Sequence, residues 1–66
     1  MKYIITNDLD VIIFSDGISH DKMAAKFGGA KTAGYITSSL EPYGQSVSLG
    51  RLKPGETDEE IIKSRF

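Results

Sequence analysis

The chain is short, 66 residues with a formal net charge of −1 and no cysteine, so it holds one domain at most and no disulfide or cysteine-ligated metal can reinforce its core. The near-neutral charge argues against a nucleic-acid binder, which carries a basic excess or stripe, and against an acidic mimic of DNA. A hydrophobic content of 39% with three Phe and three Tyr argues for folding over disorder.

Lys2 to Thr6 reads as a strand, rich in β-branched and aromatic residues. Asn7-Asp8-Leu9-Asp10 is a turn cluster, and Val11 to Phe14 a second strand, so the spacing predicts an antiparallel hairpin. This second strand is apolar at every position, which predicts cover on both faces: a helix on one side and a second subunit on the other. Ser15-Asp16-Gly17 ends it. Ser19 has the character of a helix N-cap, Ile18 and Met23 the spacing of a hydrophobic staple, and Asp21 suits the first turn. Met23, Ala24 and Phe27 form the predicted inward stripe, and Gly28-Gly29 ends the helix.

Ala30 to Ala33 reads as a basic and polar loop, Tyr35 to Ser39 as a third strand and Glu41-Pro42-Tyr43-Gly44 as a turn. Gln45 to Gly50 alternates, with Val47 and Leu49 on one face and Ser46 and Ser48 on the other, which predicts a fourth strand with one apolar and one hydroxyl-bearing face. After the linker Arg51 to Glu56, Thr57 and Glu60 have capping-box spacing at the head of a last helix running to about Arg65, with Ile61, Ile62 and Phe66 as its apolar contacts. The expectation is one α+β domain over residues 1–66, in the order ββαββα, with antiparallel hairpins packed on two short helices. The two ββα halves are alike in order but not in residues. The longest apolar run, Val11 to Phe14, is far too short to span a membrane, and no signal-peptide pattern opens the chain, so a cytoplasmic site is expected.

No catalytic motif stands out. His20, the single histidine, has Asp16 and Asp21 near it in sequence as orienting groups, which leaves a small phosphodiesterase-like enzyme as a minor reading. Gly28-Gly29-Ala30-Lys31-Thr32 fails as a phosphate-binding loop: Ala30 stands where glycine is required, and the segment closes a helix instead of opening one. Lys31 and Thr32 can still meet an anion beside flexible backbone. Asn7 to Asp10 starts like a calcium loop, but Ile12 and Ile13 occupy positions that need oxygen and glycine. No metal or cofactor site is expected. A hydroxyl row at Ser46 and Ser48, flanked by Tyr43 and Arg51, with Lys22 and His20 supplying further polar or cationic groups, is the candidate ligand-binding set together with Lys31 and Thr32.

Ile18-Ser19-His20 with Met23-Ala24, then Thr32-Ala33-Gly34-Tyr35, then Tyr43 to Gly50 and the closing acidic Glu-Ile-Ile helix together resemble small accessory proteins encoded in tailed-phage or prophage genomes. The likeness runs over nearly the whole chain and departs in the linker Arg51 to Glu56. It implies expression in a bacterial host and no established activity. On that footing, one expectation is a counter-defence protein that forms a homo-oligomer and sequesters a small phosphorylated ligand, such as a nucleotide immune signal, without catalysis. The other is an inhibitor or adaptor that presents a sheet edge or helix face to a host defence protein. Neither DNA, RNA nor a membrane is an expected partner.

Overall fold

A computed structural model describes all 66 residues, Met1 to Phe66. Its elements follow the expected order: β1 (Lys2–Ile5), β2 (Val11–Phe14), α1 (His20–Ala25), β3 (Thr32–Ile36), β4 (Pro42–Tyr43) and α2 (Asp58–Arg65). All four strands join one antiparallel sheet in the order β2-β1-β3-β4. The α+β class therefore holds, and both hairpins belong to a single sheet.

The period of two along β1 assigns the layers. Ile4 faces a cluster with Phe14, Met23, Ala24 and Ala33, which is the α1 side. Tyr3 and Ile5 face the opposite way, into a cluster with Ile36 and Ile62, which is the α2 side. The helices thus cover opposite faces of the sheet. Neither helix is long enough to be stable alone, so each depends on this burial. β2 is indeed covered on both faces, but by the chain itself: Ile12 and Phe14 pack on the α1 side, and Val11 and Ile13 on the α2 side. Val11, Ile12 and Ile13 are half-buried in this packing, and Phe14 is buried.

Several boundaries differ from expectation. β3 begins at Thr32, inside the segment read as a loop, and stops at Ile36. Ala33 and Gly34 have low β-propensity, but the central position against β1 pairs Ile5 with Thr32, Ile4 with Ala33 and Tyr3 with Gly34, and pairing outweighs propensity there. Small residues are required there. A Cβ on Gly34 would stand 2.9 Å from both Pro54 Cγ and the Tyr43 carbonyl oxygen.

The expected strand over Gln45 to Gly50 does not form; the strand is Pro42–Tyr43, and the segment after it is a series of turns. Leu49 N–H donates to Ser46 Oγ at 3.3 Å, Gly50 N–H to Val47 O and Leu52 N–H to Leu49 O, while Gly44, Gly50 and Arg51 take positive φ. Serine hydroxyls offered the backbone local partners in place of a ladder. Leu49 still reaches the α1-side core, whereas Val47 is exposed. Phe27 is also exposed, because the last helical residue is Ala25 and the chain has already begun to turn.

Both expected caps sit at the right places without making their side-chain bonds. The hydroxyl that accepts from the start of α1 belongs to Ser48, which takes Asp21 N–H at 3.3 Å. At α2, Asp58 folds back and accepts Gly55 N–H at 3.0 Å. Between them, Leu52 packs on the α1 side and Pro54 stands over Gly34 on the α2 side. Two residues apart on opposite faces, they carry the chain around the β4 side of the sheet.

Candidate functional site

The residues nominated from sequence fall into separate environments. His20 is buried at the start of α1, and its Nε2 donates to the Gly34 carbonyl at 2.8 Å, which places the proton on that nitrogen. Its ring stands edge-on between Phe14 and Tyr35, with centroids 5.5 Å away on each side. This is a core histidine tying α1 to β3. Tyr35 in turn lies 5.6 Å from Tyr43, whose ring is about half exposed.

Ser46 is buried at 1% exposure. Its amide donates to Leu52 O at 2.7 Å, and its hydroxyl lies 3.3 Å from Ser48 Oγ. Both hydroxyls therefore serve the turn and the helix start. Ser19 first, then nearby backbone amides and Ser48, hold the exposed Asp21 carboxyl below the usual carboxylate range. Lys22, Lys31 and Arg51 are exposed. Thr32 points to the other side of the sheet, against Gly55, and its hydroxyl is buried without a partner. The structure thus brings together His20, Tyr35 and Tyr43, and it sets Ser46 and Ser48 at the start of α1, where Ser48 Oγ accepts from Asp21, the residue between His20 and Lys22. It does not gather the eight nominated residues around one cleft.

On the α2 side one polar contact is sealed beneath the helix. Tyr3 Oη donates to Asp58 Oδ2 at 2.6 Å, and both residues are buried. Burial first, and then the hydrogen bond and charge of Asp58, push the Tyr3 phenol above its ordinary range. With Gly55 N–H on the same oxygen, the carboxylate is satisfied by the protein, and the contact locks the linker and α2 onto the sheet.

The two edges of the sheet differ, and the hydrogen-bond alternation of antiparallel pairs shows how. Thr6 N–H donates to Asp10 O at 2.9 Å, one step beyond the Ile5–Val11 pair. Bonded pairs therefore recur at Ile4–Ile12 and Lys2–Phe14. The backbone groups of Val11 and Ile13 point away from β1, to the open edge. On the far side Thr37 N–H donates to Glu41 O at 3.1 Å, so Tyr35–Tyr43 is a bonded pair and Pro42 faces outward. Proline has no N–H, and the linker wraps that side, so the β4 edge is closed. The β2 edge presents two donors and two acceptors on a wholly apolar strand without proline, lysine or bulge, the usual protections of an edge.

Beside this edge, on the α2 side, is a hollow of about 380 Å³ lined by Met1, Ile13, Ile36, Thr37, Ser38 and Leu40. It is at the small end of the size range of binding pockets. Ile13 belongs both to the open edge and to the hollow. Sequence reading identified the apolar strand but not its edge position, which depends on β3 pairing with the other side of β1.

No group of three or more His, Asp or Glu side chains is arranged to hold a metal ion, and no helix is long and apolar enough to cross a membrane. Comparison with protein-family models, curated proteins and solved structures finds no match to this chain, and nothing in it bears on the resemblance to tailed-phage proteins.

Proposed function

We propose that this protein is a recognition domain that binds another protein by accepting an extended segment along β2. Of the two expectations raised by the sequence, this is the inhibitor or adaptor. The observation that supports it is the pair of unbonded, outward-facing residues Val11 and Ile13 on an apolar edge, opposite an edge closed by Pro42 and the linker. Strand addition uses this arrangement: main-chain bonds supply affinity, and pockets for alternate side chains supply selectivity. Capture of a phosphorylated ligand has weaker support, because Ser46, Ser48 and His20 are engaged within the fold and Thr32 lies on the other side of the sheet.

The test is selection of binders from a random decapeptide library on the immobilised protein, followed by amide-shift mapping. The expected ligands are extended apolar peptides that move the Val11–Phe14 amides and lose binding to a Val11→Pro variant. That substitution removes an outward N–H without breaking a bond to β1. Ligands that map instead to Lys22, Arg51 and Tyr43 would contradict the proposal.

A further inference from the structure

We infer that the segment accepted by β2 is an apolar stretch flanked by basic residues, with one large apolar side chain seated in the hollow beside Ile13. This rests on the strand-addition reading and adds the chemistry of the partner.

The charges at the ends of the edge carry the first part. Asp8 and Asp10 precede β2, and Asp16 follows it, all three exposed, while the strand itself has no charge. The two cations near them are weakly engaged. Arg65 Nη1 is 4.0 Å from Asp10, and the Met1 amino group 3.5 Å from Asp16, with all four side chains or groups solvated. Such exposed pairs hold little free energy and are readily exchanged. Lys2 is turned to the other face, where its Nζ donates to Ile18 O at 3.0 Å. A segment lying along the edge therefore meets acidic groups at both ends, and Lys or Arg at its flanks meets opposite charge.

The same charges discriminate against a second copy of this chain. An antiparallel pairing of two β2 strands that satisfies the outward groups joins Val11 to Ile13 of the second copy, with Ile12 on the axis. That register carries Asp8 and Asp10 of one copy toward Asp16 of the other at both ends. Like charges opposed across strands are destabilising. Apolar self-pairing is thus opposed by the ends of the strand, and a foreign basic-flanked segment is favoured.

The hollow carries the second part. Side chains of a strand added beside β2 alternate between faces, and the one beside Ile13 on the α2 side faces the hollow across Ile13, the one β2 residue in its lining, so a large side chain is needed to reach it. Met1 and Leu40 supply apolar walls, and Thr37 and Ser38 a polar rim. An apolar side chain fits that lining.

The experiment titrates the labelled protein with three capped peptides: Lys-Thr-Val-Phe-Val-Thr-Lys, the same peptide with Glu at both ends, and the Lys-flanked peptide with Ala in place of Phe. The Lys-flanked Phe peptide is expected to shift the Val11–Phe14 amides and to bind about tenfold tighter than the Glu-flanked one at low salt. That difference should shrink as salt screens the exposed charges. The Ala peptide, or a Ser38→Trp variant that fills the hollow from its exposed rim, is expected to weaken binding about tenfold. Equal affinity of the Lys- and Glu-flanked peptides, with shifts still on β2, would overturn this inference and leave strand addition standing. Shifts elsewhere, or none at millimolar peptide, would overturn both. Self-association of the free protein through β2 would overturn the assignment to a foreign segment.

Discussion

Tyr3 and Asp58 show how a single buried contact joins distant parts of a 66-residue chain. They are 55 positions apart, yet the phenol and carboxylate meet at 2.6 Å beneath α2. Because the folded state raises the Tyr3 phenol above the ordinary value near 10, it holds that proton more tightly than the unfolded chain does. The associated stability is fully present below about pH 10 and is lost as pH rises beyond it. We expect Tyr3→Phe to cost about 1–3 kcal/mol at neutral pH, since Asp58 loses a buried donor. The variant should also show a shallower loss of stability than wild type between pH 9 and 11 in denaturant melts. Parallel curves for the two proteins would contradict the contact. His20 teaches a related lesson. As the single histidine it was the natural catalytic candidate from sequence, but its ring is consumed by Gly34, Phe14 and Tyr35.

At the scale of elements, the two hairpin loops are built alike. In the first, Thr6 N–H donates to Asp10 O, Leu9 N–H to Thr6 O, and Asp10 N–H to Thr6 Oγ1; Leu9 has φ of 66°. In the second, Thr37, Leu40 and Glu41 make the same three bonds, and Leu40 has φ of 64°. A turn followed by a left-handed residue is a common way to close a hairpin, and glycine is the residue best suited to that position. We expect Leu9→Gly to raise stability by about 0.5–1 kcal/mol, by relieving the left-handed strain at an exposed position. Leu40→Gly should lower it, because Leu40 also packs against the Ile36–Ile62 cluster. The same sign for both in thermal melts would contradict this account. The repeat was written in the sequence as Thr-Asn-Asp-Leu-Asp and Thr-Ser-Ser-Leu-Glu. Reading composition alone found the first turn and placed the second loop partly inside a strand.

What could be read from sequence was whatever depended on local pattern: the first hairpin, the short helices, their order and the two-sided cover of β2. What could not was whatever depended on register or on which hydroxyl answered which amide. Ser46 and Ser48 looked like one face of a strand, and only the turn bonds to Leu49 and Asp21 show them as parts of a loop. The open edge was hidden in the same way, since β2 becomes an edge only once β3 has paired with β1.

The whole molecule is a sheet with one of its own helices packed on each face and with one edge closed by Pro42 and the linker. The proposed recognition therefore falls on the remaining edge. Native-state hydrogen exchange of the free protein tests this most directly. The account predicts an alternation along β2: slow exchange at Ile12 and Phe14, which bond to β1, and fast exchange at Val11 and Ile13, which face outward. Protection of all four amides would mean that the edge is already occupied or the register wrong, and would contradict it.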